Sequence, residues 1–281
     1  MTQNVLNQQS VIITGAAQGL GKAIAIGLAE SGARVAITDV KQDGLYDTEK
    51  KIADACGADS VLAKVADVRQ EADINEFVNG AMEKFGAIDG VINNAGLGPA
   101  AVREDVFSRP LPVWEYEPDQ WRLIWDVNAL GPFLLCRAVI PHMSERKRGR
   151  IINIFTTFQT MMAPNFGSYG PSKAALETMS ATLVHELDGT GVMVNGVVPG
   201  RPADTAQVPD DIGIPRDRLL PPEVMVAPIR WLLTDEADEV CGRRVSANLW
   251  DDSLPGKEAL NKASRDLAWP ELIDPFSMAD L

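Results

Sequence analysis

The sequence predicts a doubly wound α/β fold, a parallel sheet with helices on both faces. Three observations point there. Short β-branched runs alternate with helical patterns along most of the chain, several of those runs are apolar nearly throughout, and the first runs into a glycine-rich turn. A strand that is apolar on every residue needs cover on both sides, which parallel sheets between helices provide. The alternation itself marks successive strand–helix–strand units.

In chain order, Val11–Ile13, Arg34–Thr38, Ser60–Val65, Gly90–Asn93, Arg150–Ile154 and Val192–Val198 read as strands. Segments 20–31, 43–55, 71–85, 119–143 and 168–188 carry apolar residues at helical spacing. A last helix near 223–234 and a short strand at Arg243–Ser246 are expected to finish the sheet. Two stretches break the rhythm. Segment 97–118 holds four prolines with Phe107, Trp114 and Tyr116, and segment 200–222 is rich in proline and aspartate. Both follow strand ends on the side where open α/β sheets bind ligands, so they are read as substrate loops. No linker-like stretch divides the chain, which predicts a single domain over 1–281 with an extension from about 249 that carries Trp250, Trp269 and Phe276.

Composition narrows the functional classes. With 281 residues, 46% of them hydrophobic, the chain can build one large core. A net charge of -13 argues against nucleic acid or an anionic membrane surface as a partner. The one basic cluster, Arg146 to Arg150, lies between a helix and a strand and is read as a solvated loop. Cys56, Cys136 and Cys241 are far apart and odd in number, so no disulfide framework is expected. His142 and His185 have no partners at ligand spacing, and no metal is expected. The N-terminus lacks the pattern of a secretory leader and no apolar run reads as a membrane span, so a cytoplasmic location is expected.

Two short motifs carry the chemistry. Thr14-Gly-Ala-Ala-Gln-Gly-Leu-Gly21 places glycines at 15, 19 and 21 between a strand and a helix. Such a turn lets the backbone approach a pyrophosphate, whose charge is favoured at a helix N-terminus. The next strand ends on Asp39, where a carboxylate accepts bonds from both adenosine ribose hydroxyls and repels a ribose phosphate. With Gln18 and no Arg or Lys in the turn itself, the pattern favours NAD over NADP. Further on, Tyr169-Gly-Pro-Ser-Lys173 sets a phenol and an ammonium one helical turn apart. A dinucleotide beside an acid/base pair is the minimum equipment for hydride transfer coupled to proton transfer.

With Asp67-Val68, Asn93-Asn-Ala-Gly96, Asn128 and Pro199-Gly200 in the same order, the sequence resembles the classical short-chain dehydrogenase/reductase family over about residues 9–248. The resemblance implies a Rossmann fold and an NAD-dependent oxidoreductase. It implies that Gly15, Gln18, Gly19, Leu20 and Gly21 hold the cofactor phosphates. Asp67 and the Val68 backbone should hold the adenine, while Asn94, Ala95 and Gly96 line the cofactor. Pro199 and Gly200 should flank the nicotinamide, and Thr205 takes the place of a threonine that binds its carboxamide. Tyr169 is then the acid/base. Lys173 lowers its pKa and bonds the nicotinamide ribose, and Asn128 holds a water that links Lys173 to solvent. The family's usual serine is missing: Thr156 falls in its place and Thr157 is the next hydroxyl.

Phe158, Met161, Met162 and Phe166, with Trp114 and Tyr116, are candidates to wall an apolar pocket for a bulky alcohol or ketone, or to pack under loops. The resemblance also implies pairing of the helix after Tyr169 across a twofold axis, giving a homodimer or homotetramer. Two other classes stay open: a catalytically impaired regulatory or scaffold protein that binds nucleotide on the same fold, and an epimerase or dehydratase, which the lack of a large separate substrate domain disfavours.

Overall fold

The computed structural model describes residues 4–6 and 8–270; the beginning of the chain and the tail with Phe276 lie outside the described residues. The chain begins with β1 (Ser10–Thr14), α1 (Gly19–Glu30), β2 (Arg34–Asp39), α2 (Gln42–Cys56), β3 (Val61–Val65), α3 (Glu71–Phe85) and β4 (Gly90–Asn93). A long helical stretch follows: α4 (Pro118–Trp125), a π-helical turn (Asp126–Leu130) and α5 (Gly131–Glu145). Then come β5 (Gly149–Ile154), α6 (Phe158–Met162), α7 (Tyr169–Glu186), β6 (Val192–Val198), α8 (Val226–Leu233), β7 (Arg243–Ser246), α9 (Gly256–Ala263) and β8 (Ser264–Asp266).

The sheet runs β3-β2-β1-β4-β5-β6-β7-β8. Strands β1 to β7 are parallel, and β8 joins β7 antiparallel. The period-2 alternation of a strand sorts the core into two halves. Ile12, Val91 and Ile151 face Phe77 of α3 and Leu135 and Val139 of α5. Their chain neighbours Ile13, Ile92 and Ile152 face the opposite way, toward Ile24 and Leu28 of α1 and Ile229 of α8. Each such fully buried side chain contributes about 1.5–3 kcal/mol. This is the expected doubly wound Rossmann-type arrangement. Because β1 has β2 on one side and β4 on the other, strand order reverses there, and the crevice beyond the strand ends is where such sheets bind ligands.

The structure departs from the sequence expectations at several points. The helix expected over 119–143 is interrupted by the π turn around Asn128. Strand β7 does not end the sheet; the C-terminal extension adds α9 and then β8 outside it. Pro118–Glu145 spans 28 residues and contains an 18-residue stretch with a mean hydropathy of 1.5, so one helix among the described residues does have the length and composition to cross a bilayer. In this fold Leu135, Val139 and Met143 of that stretch are wholly buried in the core. The basic cluster is not all solvated loop either. Arg150 is the second residue of β5, is 7% exposed and bonds Asp238.

Candidate active site

The glycine turn is built by its backbone. Gly15 and Gly19 have φ of 71° and 55°, a region that costs other residues dearly. A β-carbon at Gly15 would sit 2.8 Å from the Ala95 Cα, so the turn packs directly on the run after β4. Thr14 and Asn94 fasten the two together. The Thr14 hydroxyl accepts from the Asn94 and Ala95 N–H groups at 3.1 and 3.0 Å, and the Asn94 amide donates to the Thr14 and Gly15 carbonyls at 2.9 and 3.1 Å. Leu20 is partly buried and packs against the core beside Gly21.

No side chain caps the N-terminus of α1, and its first turn carries no acid. Those free N–H groups suit an anion. At the tip of β2, Asp39 accepts from the Ala17 N–H at 3.1 Å and the Lys41 N–H at 2.9 Å, which orients its carboxylate beside the turn. The residues present therefore fit a dinucleotide: free donors for the pyrophosphate, a fixed carboxylate for the adenosine ribose. Lys41, which reading the turn alone passed over, reaches the Gln18 side chain at 3.2 Å. Asp67 lies in the crevice region with its carboxylate engaged by Arg69, at 2.9 and 2.6 Å, and that guanidinium holds it below the usual carboxylate range. Val68 turns its side chain into the core against Gly131.

The acid/base group converges at the ends of β4 and β5 and the start of α7. Lys173 is buried and donates to the Ile154 carbonyl at 2.8 Å. Burial pushes its ammonium down to about 8. Asn128 is wholly buried and spends its side chain on three bonds: it accepts from the Leu97 N–H at 2.8 Å and donates to the Leu97 carbonyl and the Ser172 hydroxyl, both at 3.0 Å. Ser172 in turn donates to the Tyr169 carbonyl at 2.7 Å. Gly96 leaves room for this. A β-carbon there would lie 3.3 Å from the Asn128 Oδ1 and 3.4 Å from the Lys173 Nζ. A π-helical turn at Asn128 is the kind of local irregularity that often marks functional sites.

The two threonines separate cleanly. Thr157 caps α6, its hydroxyl accepting from the Thr160 N–H at 3.2 Å. Thr156, the residue before that cap, offers its carbonyl to the Arg244 guanidinium. Burial pushes the Tyr169 phenol above its usual value, opposed by the nearby Thr156 hydroxyl.

The loops also sort themselves. Thr205 packs on the glycine turn, its methyl 3.1 Å from the β-carbon position of Gly19. Gln207 donates to the Gly96 carbonyl. The Pro199 carbonyl accepts from the Asn248 main-chain N–H at 3.2 Å, and Gly200 packs against the Asn248 side chain. Asp211, missed by sequence reading, clasps the two long loops: it accepts from the Phe107 and Ser108 N–H groups at 3.0 and 2.8 Å and from the Ser108 hydroxyl at 3.0 Å. Phe107 stands edge-on to Phe166, and Phe166 lies 6.3 Å from Tyr169, ring centre to ring centre. The other proposed wall residues scatter. Trp114 and Met162 are 83% and 79% exposed, Met161 is buried, Tyr116 packs on Trp121, and Phe158 lies against Trp269.

A parallel sheet in this strand order, with a glycine turn and a Tyr–Lys pair at the strand ends, points to one family of oxidoreductases. The chain matches the model of the short chain dehydrogenase family over residues 9–209 and belongs to that family. It is 35% identical to a 2-(R)-hydroxypropyl-CoM dehydrogenase of Xanthobacter autotrophicus over 189 residues, 67% of this chain and 72% of that one. It is 31% identical to a 3beta-hydroxysteroid dehydrogenase 1 of Eggerthella lenta over 250 residues, 84% of this chain and 91% of that one. Among solved structures it resembles a 3-ketoacyl-(acyl-carrier-protein) reductase of Brucella melitensis complexed with NADH. That match has a TM-score of 0.73 at 28% identity and covers 84% of this chain and 95% of the other.

Proposed function

We propose that this protein is an NAD-dependent oxidoreductase that interconverts a secondary alcohol and a ketone. The observation that carries the proposal is the buried Lys173, one helical turn beyond Tyr169, held at the end of β5 by the Ile154 carbonyl at 2.8 Å. The family resemblance and the NADH complex of the Brucella relative support it. Held by the glycine turn and Asp39, a nicotinamide dinucleotide would supply the hydride chemistry. Tyr169 holds the substrate oxygen and gives or takes its proton. Thr156 donates a second hydrogen bond to that oxygen and fixes which face of the carbon is presented. Lys173 supplies positive charge beneath the phenol and binds the nicotinamide ribose, and Asn128 continues the proton route toward solvent. Phe107 and Phe166 form the apolar side of the substrate space. A screen of secondary alcohols with NAD and of ketones with NADH tests the reading through the change in nicotinamide absorbance. NAD binding with no turnover across the screen would turn the assignment to a nucleotide-binding protein without catalysis.

Asp39 sets the cofactor preference in this proposal. NAD should bind at least about tenfold more tightly than NADP, about 1.4 kcal/mol, because a fixed carboxylate repels the extra phosphate. The Asp39→Ala variant should narrow that gap, leaving the Lys41 ammonium to attract the phosphate. Equal affinities in the wild-type protein, measured by titration calorimetry, would refute the assignment.

We further propose one domain acting as a cytoplasmic homodimer or homotetramer that joins through the α7 face. Small residues Ala174 and Ala181 lie along that helix, and Leu130 and Phe133 expose 39% and 47% of their surface at the π turn and the start of α5. Such surfaces favour isologous packing. Light scattering at micromolar concentration should give a multiple of the 30.4 kDa chain mass; monomer alone would contradict this.

A further inference from the structure

One buried ion pair has no part in the chemistry above. Glu177 sits four residues beyond Lys173 on α7 and is 0% exposed; Arg244, on β7, is 4% exposed. The Arg244 Nη1 donates to the Glu177 Oε2 at 2.6 Å, and its Nη2 donates to the Thr156 carbonyl. The guanidinium lies 4.1 Å from the Phe158 ring centre, a stacking distance. The second Glu177 oxygen accepts from the Ala268 N–H at 3.3 Å, just beyond β8.

Burial pushes the Glu177 carboxyl up and the Arg244 guanidinium down, each opposed by its partner. A pair in that position adds little to stability, since apolar side chains of similar volume serve as well. What apolar side chains cannot do is grip a carbonyl. Thr156 lies in the short gap between the end of β5 and the start of α6, outside the sheet ladder and the helix. A guanidinium has a rigid fork of donors, so it can reach α7 and the Thr156 main chain together.

We propose that Arg244, clamped by Glu177, is a positioning residue that fastens the Thr156 main chain to α7 and thereby sets the Thr156 hydroxyl against Tyr169. The C-terminal segment completes the clamp through Ala268, so the extension beyond β7 serves the site from behind. The placement stands on geometry alone; its effect on turnover rests on the proposed function.

The chain has three tyrosines, so Tyr46→Phe with Tyr116→Phe leaves Tyr169 as the only phenol. In that background, Arg244→Met with Glu177→Leu replaces the pair by apolar side chains. The expected result is a folded protein by circular dichroism with an unfolding midpoint near its parent's and unchanged affinity for NAD alone. The Tyr169 phenolate absorbance should appear at higher pH than in the parent, because the released Thr156 hydroxyl no longer favours the ionised form. On a secondary alcohol found by the screen, kcat should fall on the order of 10²-fold, the scale of a small misplacement. Should the double replacement not fold, Arg244→Lys keeps the charge but not the fork and should shift the titration the same way. An unshifted titration in a folded variant would overturn the proposal. A shifted titration in a protein that turns over no alcohol upholds the positioning role and removes only the functional reading. Unchanged turnover in the variant, where Tyr169→Phe abolishes it, removes the positioning role and keeps the function.

Discussion

Tyr169→Phe is expected to lower turnover by about 10²–10⁴-fold while leaving NAD affinity nearly unchanged. The ring stays and only the hydroxyl goes, so packing against Phe166 is preserved. What is lost is the group that carries the proton between substrate oxygen and protein. The magnitude follows from the general contribution of a positioned acid or base, and the local chemistry agrees. An apolar setting that lifts the phenol keeps it protonated at neutral pH, ready to donate to a ketone oxygen. Steady-state kinetics on the best substrate of the screen, with NAD binding measured separately, checks this. Wild-type turnover in Tyr169→Phe would remove the catalytic assignment altogether.

The neighbouring threonines should separate into two different losses. Thr156→Val keeps the shape and removes the donor, so it should lose most turnover with little change in the unfolding midpoint. Thr156→Ser should retain substantial activity, since the hydroxyl is kept. Thr157→Val removes a helix cap and should cost about 0.5–2 kcal/mol of stability with turnover largely kept. Kinetics and thermal unfolding on the same three proteins decide the matter. A dead Thr157→Val beside a fully active Thr156→Val would exchange the two roles.

The parallel strands were legible because continuous apolar runs such as Val11–Ile13 and Val35–Ile37 leave few alternatives. Strand β8 was not. Ser264-Arg265-Asp266 has neither length nor alternation, and it reaches Arg243–Val245 only because α9, between them in the chain, turns it back. The π turn was hidden for another reason: an extra residue in one helical turn barely disturbs the apolar spacing on either side. In the site, residues fixed by local spacing were legible, among them Thr14 to Gly21 and Tyr169 with Lys173. Partners joined only through the fold were not. Glu177 and Arg244 stand 67 residues apart, and Arg244 and Thr156 stand 88 apart. The Asp67–Arg69 pair joins residues two apart, but it depends on the turn after β3 folding the guanidinium back onto the carboxylate, which spacing alone does not show.

Strand β8 also bears on how the molecule meets its own copies. An outermost parallel strand presents a row of unpaired N–H and C=O groups, an open template on which another chain can grow. Here that row is already taken, by three residues of which two are charged, with Arg243 and Asp266 closing the join. What remains outermost is too short and too polar to seed further growth. The chain thus carries its own end-stop at this margin and leaves contacts between copies to surfaces made of side chains rather than of backbone.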